Sequence, residues 1–179
     1  MTSKSAWQTD VAAALEGFER LVILGVGNIS RGDDAAGVRC AELLASRLPR
    51  RSARLKVLNA GDVPENFTGK IRLCEPSHVL IIDAMLGGSR PGTVRLVDRT
   101  RIADEEVSTH RIPLARLVEF LEATVGCKVI VLGIEPRSLE PGRPTTAAVE
   151  AAARRVAAFV AGLAARRLRS SSASGHKCS

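Results

Sequence analysis

Four short apolar runs constrain the fold of this chain more than any other feature: Leu21–Val26, Leu55–Leu58, His78–Ile82 and Lys128–Ile134. Each is too short for a typical helix and dominated by Val, Ile and Leu, the pattern of strands covered on both faces. A fifth run, Thr93–Val97, alternates, with Val94 and Leu96 set against Thr93, Arg95 and Val97, as expected of an edge strand. Helical stripes lie between the runs. Val38, Ala41, Leu44, Ala45 and Leu48 share one face over about Ala35 to Leu48, and a shorter helix is expected near Glu65 to Leu73. A third starts around Pro113, a good first-turn residue, and repeats Leu114, Leu117, Val118 and Leu121 until Gly126. The last and longest, about Thr146 to Leu168, presents Val149, Ala153, Val156, Val160 and Leu163, with Thr145 or Thr146 as its cap. Strands alternating with helices predict a single α/β domain: a mostly parallel five-stranded sheet with helices on both faces. Its expected span is residues 21–168, after an N-terminal extension (1–20) and before a disordered, basic, Ser-rich tail (169–179).

Charge and composition exclude several function classes. The net charge of +7 suggests nucleic acid, but Arg166, Arg167, Arg169 and Lys177 supply four of those charges within the last 14 residues. Aromatic residues make up 3% with no Tyr, too few to build a base-stacking platform. Neither nucleic acid nor membrane is therefore an expected partner: no apolar run approaches the roughly 18 residues a span needs. The cysteines (Cys40, Cys74, Cys127, Cys178) form no Cys-x-x-Cys pair, and residues 1–20 do not read as a signal peptide. Reduced thiols in a soluble, cytoplasmic protein are expected, three of them packed against apolar neighbours.

In an open parallel sheet, ligands bind beyond the carboxyl ends of the strands, near the point where strand order reverses. Asn28, Asp33 and Asp34 follow the first run, Asp83 ends the third, and Ser108-Thr109-His110 precedes the third helix. Two carboxylates and an imidazole from one sheet edge form an O, O, N donor set suited to a divalent transition ion such as nickel or zinc. Each residue also has a plainer reading. Asp33 or Asp34 can cap the following helix, and spacing does not say which of the two does more. Asp83 can bond loop amides, and His110 can be a satisfied loop histidine. A dinucleotide site fits poorly. Gly25-x-Gly27 lacks its third glycine, Ser30 standing there, Asp62 comes too late for a ribose contact, and Asp33 and Asp34 would repel a pyrophosphate. No Gly-x-Ser-x-Gly nucleophile motif occurs, and no cysteine has an obvious histidine partner.

Five blocks in order carry a resemblance: GVGNISRGDDAAGVR (25–39), GDVPENFTGKIR (61–72), HVLIIDAMLGGSRPGTVRLVD (78–98), STHRIPLARLVEFL (108–121) and CKVIVLGIEPRSLEPG (127–142). Together they resemble the NiFe-hydrogenase maturation protease family, endopeptidases that trim the C-terminus of the hydrogenase large subunit. The resemblance runs from about Leu21 to Phe159. It implies a three-layer α/β/α fold with a twisted five-stranded sheet, and a metal-binding cleft lined by Asp34, Asp83 and His110. Asp34 and Asp83 are then the catalytic carboxylates, and Asp33 a neighbour that caps or shapes the loop. Two positions depart from the family pattern. Ala35 replaces a common Gly, and Ala60-Gly61-Asp62 replaces a common Gly-Gly-Thr/Ser, so Asp62 stands where it can alter how substrate is read.

The resemblance further implies that the partner is the precursor large subunit, which brings its own nickel. The protease then needs no permanently bound cofactor, and a monomer meeting a large partner is the default expectation. Two rivals use the same features: a nickel-dependent docking or chaperone module without proteolysis, and a peptidyl-tRNA hydrolase-like enzyme. The second shares the Gly-x-Gly-Asn turn but lacks the expected proline, Ile29 following Asn28.

Overall fold

All five apolar runs form strands. The computed structural model describes residues 5–49, 51–98 and 114–174, with side chains described to residue 170. In chain order its elements are α1 (Ala6–Ala14), β1 (Leu21–Val26), α2 (Ala36–Arg47), β2 (Leu55–Gly61), α3 (Thr68–Leu73), β3 (His78–Ala84), β4 (Val94–Leu96), α4 (Leu114–Val125), β5 (Lys128–Ile134) and α5 (Ala147–Ser174). Short 3₁₀ turns at Gly32–Ala35 and Pro64–Phe67 lead into α2 and α3.

The sheet has the order β2-β1-β3-β5-β4. β1 pairs in parallel with β2 and β3, and β3 in parallel with β5. β4, the alternating run, is the antiparallel edge strand beside β5. From β1 the chain moves to one side for β2, then returns past β1 to place β3 on the other. Strand order therefore reverses between β1 and β3, where an open α/β sheet opens a crevice at its carboxyl edge.

Side-chain alternation along the strands builds two cores. Leu21, Ile23, Leu80, Ile82, Ile130 and Leu132 face α1, α2 and α5. Val22, Leu24, Val79, Ile81, Val129 and Val131 face α3 and α4. On α5, Val149, Ala153, Val156 and Val160 are buried as the spacing predicts, and the stripe then drifts to Ala164 while Leu163 is half-buried.

Two expectations need correction. Residues 1–20 are not merely an extension, because α1 joins the first core through Trp7 and Val11, followed by Leu15 and Phe18. Trp7 meets Phe159 of α5 edge to face, with ring centroids 5.2 Å apart. Nor does the chain lose structure at residue 169, since α5 continues to Ser174. Ala164 is buried there, and Arg167 Nε donates to the Phe18 carbonyl at 3.2 Å, holding the helix end against the chain that leaves α1.

Candidate active site at the carboxyl edge of the sheet

Four acidic side chains are buried among the described residues: Asp33 and Asp83 at 0% exposure, Asp34 at 2% and Glu135 at 3%. All follow or end strands at the same sheet edge, and their partners separate their roles.

Asp33 serves the structure. Its carboxylate accepts from the Arg137 backbone N–H (2.7 Å), the Ser138 N–H (3.4 Å), the Thr146 N–H (2.6 Å) and the Thr146 hydroxyl (3.0 Å). It thus ties the loop after β1 to the loop after β5 and holds the residue that opens α5. Neither Asp33 nor Asp34 caps α2 by a side-chain bond, because the 3₁₀ turn already leads into that helix.

Asp34 stands on that turn. Its Oδ2 accepts the Asn28 backbone N–H at 3.1 Å, and its own N–H donates to the Arg31 carbonyl. The loop folds back so closely that a Cβ on Gly27 would come within 1.8 Å of the Asp34 carbonyl oxygen, and Gly27 adopts φ +143. Only glycine allows this approach. Asp83 lies one residue beyond the last β1–β3 pair, Gly25 with Ile82, and pairs with Gly133 on β5. By the twofold alternation of a strand it faces the α3/α4 layer with Val79 and Ile81. Its Oδ1 accepts the Ala84 N–H at 2.8 Å. The turn that bears Asp34 packs against β3. Two carboxylates are therefore held at the ends of neighbouring central strands, at the reversal of strand order. Such groups can bind a cation or accept a proton.

His110 lies outside the described residues. Among the described residues no three His, Cys, Asp or Glu side chains group as a metal site.

Glu135 was not singled out by the sequence reading. It accepts from Arg95 Nη1 (2.9 Å) and from the Gly87 N–H (3.0 Å), and its backbone bonds Thr93 and Gly92. It clasps the β3–β4 connection at the rim of the same edge. The signal that marked Asp83, a charge directly after an apolar run, applied equally here. Cys40 and Cys127 offer no activated nucleophile: burial pushes the Cys40 thiol up to about 12 and raises that of Cys127. Cys74 is half-buried against the second core.

Comparison with known proteins agrees with this architecture. The model of the HycI family, described as hydrogenase maturation protease, matches residues 38–162. The hydrogenase 3 maturation protease of Escherichia coli strain K12 is 40% identical over 116 residues, covering 64% of this chain and 72% of the relative. The hydrogenase 2 maturation protease of the same strain is 31% identical over 140 residues, covering 74% and 82%. Among solved structures, the NiFe hydrogenase maturation protease HycI of Thermococcus kodakarensis KOD1 superposes with a TM-score of 0.79 at 30% identity, over 86% of this chain and 97% of that one. By sequence and by fold, the chain belongs to the hydrogenase maturation protease family.

Proposed function

We propose that this chain is the endopeptidase that removes the C-terminal peptide from the nickel-loaded precursor of a NiFe-hydrogenase large subunit. The observation that carries this reading is the pair of buried carboxylates, Asp34 and Asp83, at the carboxyl ends of β1 and β3 where strand order reverses. The names of the relatives, maturation proteases of hydrogenases, support the reaction class and the kind of partner.

Nickel enters as cargo of the precursor. Asp34 and Asp83, with His110 as the third donor, complete its coordination with two oxygens and a nitrogen. Such a set falls short of a closed structural site but can complete the coordination of an ion already held by the precursor, so no permanent cofactor is needed. With the scissile carbonyl polarised beside the ion, a water attacks its carbon and a site carboxylate accepts the water proton. That proton passes to the leaving amine as the C–N bond breaks. No nucleic acid or membrane takes part, and among the described residues no helix is long and apolar enough to cross one. The protease works as a cytoplasmic monomer on its large-subunit partner.

The test compares cleavage of nickel-loaded and nickel-free precursor by mass spectrometry, for the wild type and for Asp34→Asn, Asp83→Asn and His110→Ala. Cutting restricted to the loaded precursor, and a loss of about 10²-fold or more in each variant, is expected. Equal cutting of both precursors, or full activity in all three variants, overturns the reading. Calorimetric titration of the isolated protein should find only weak nickel binding, whereas tight stoichiometric uptake would favour a chaperone.

A further inference from the structure

Asn28 links the loop that bears Asp34 to a different strand. Each of its polar groups has a partner. Its backbone N–H donates to Asp34 Oδ2 (3.1 Å), its carbonyl accepts from the Arg31 N–H (3.1 Å), and its Oδ1 accepts from the Ser30 N–H (2.9 Å). Those three bonds stay within one loop. The fourth runs outward: Asn28 Nδ2 donates to Asp62 Oδ2 at 3.1 Å, on the loop leaving β2.

The placement of Asp62 is built into the sheet. The β1–β2 register shifts between Gly25 and Val26, which brings Val26 opposite Gly61. Gly27 N–H then donates to the Gly61 carbonyl at 2.8 Å, continuing the pairing one step past the strand end. Gly61 has φ +60, a left-handed conformation from which the chain turns to bring Asp62 over Asn28. Asp62 is itself exposed, so the link costs little desolvation.

We propose that Asp62 is a positioning residue: through the Asn28 side chain it holds the Asn28 backbone, and with it the Asp34 carboxylate, in the orientation that catalysis requires. The inference rests on the reading of Asp34 as a site carboxylate. Asp62 itself touches neither the reacting bond nor the ion. It acts as an acceptor, so its oxygen matters and its charge does not. That distinguishes it from the competing role for an exposed acidic residue at a cleft, attraction of a basic residue of the substrate.

The experiment compares Asp62→Ala, Asp62→Asn and Asp34→Asn in single-turnover and steady-state cleavage of the nickel-loaded precursor. Asp62→Ala should lower kcat by about 10-fold with KM within about 2-fold, since small misplacements of a reacting group cost up to about 10²-fold. Asp62→Asn keeps an oxygen facing Asn28 Nδ2 and should restore kcat to within about 2-fold of wild type. Nuclear magnetic resonance reads the link without turnover: the Asn28 side-chain amide should exchange faster in Asp62→Ala and at the wild-type rate in Asp62→Asn. Unchanged urea midpoints in both variants are expected for an exposed position. Wild-type kcat in Asp62→Ala overturns the proposal, as does equal impairment of the two Asp62 variants or a loss confined to KM. An inactive Asp34→Asn beside a fully active Asp62→Ala removes the positioning role alone. A fully active Asp34→Asn removes the site reading and the positioning role with it.

Discussion

Asp33 and Asp34 are neighbours of the same type, both buried, and the structure assigns them different work. Asp33 spends its oxygens on four donors from distant loops, while Asp34 accepts from the strand exit beside it. Spacing alone left the two equivalent, and only the family resemblance favoured Asp34 as the ligand. The bond that separates them, Asp33 to Thr146, joins residues 113 apart. A stability prediction follows from that bond. Asp33→Ala takes the acceptor away from four part-buried donors and should cost about 3 kcal/mol, a hydrogen bond to a charged group being worth about 1.5–3 kcal/mol. Asp34→Asn retains an oxygen for the Asn28 N–H and should destabilise far less while abolishing cleavage. Urea unfolding of both variants checks the contrast, and equal loss of stability would contradict it.

At the scale of elements, the strands were the most legible parts, because burial on both faces demands unbroken runs of Val, Ile and Leu. β1 and β5 match their runs end to end. β2 departs from the expectation of cover on both faces: it is the second edge of the sheet, with Lys56 and Asn59 exposed, and it continues past Leu58 to Gly61 because its backbone still pairs with β1. Polar residues surround α1 and mask its pattern, although Trp7, Val11, Leu15 and Phe18 recur at helical spacing. Strand pairing also sets a pH dependence. The register places His78 beside Lys128, and burial followed by that ammonium pushes the imidazole below its ordinary value. Below about pH 6.5 the unfolded chain takes up the proton first, so this contribution to stability is complete above that pH and is lost as pH falls from it through the lower folded value. His78→Gln should flatten the change in urea midpoint between about pH 7.5 and pH 5, and an unaltered slope would argue against it.

Over the whole molecule, both cores lean on one sheet, and α1 joins the first of them through Trp7. Trp7 is the only tryptophan in the sequence, so its fluorescence reports on the packing of α1 against α5, while far-ultraviolet circular dichroism averages all helices and strands. The two signals should follow a single urea transition with the same midpoint, as a chain folding as one unit requires. An earlier fluorescence transition would mean that α1 docks separately from the domain.

By itself the sequence determined the five strands of the described sheet, the edge position of Thr93–Val97 and three of the acidic residues at strand ends, Asp33, Asp34 and Asp83. A strand buried on both faces tolerates a charge only where the chain leaves the layer, so local pattern and site coincide there. The tertiary structure alone decided the order β2-β1-β3-β5-β4, the docking of α1 and the lower end of α5, and the different hydrogen-bond partners of Asp33 and Asp34. Those outcomes depend on which distant backbone groups and apolar faces meet, and no local periodicity encodes a partner more than a hundred residues away.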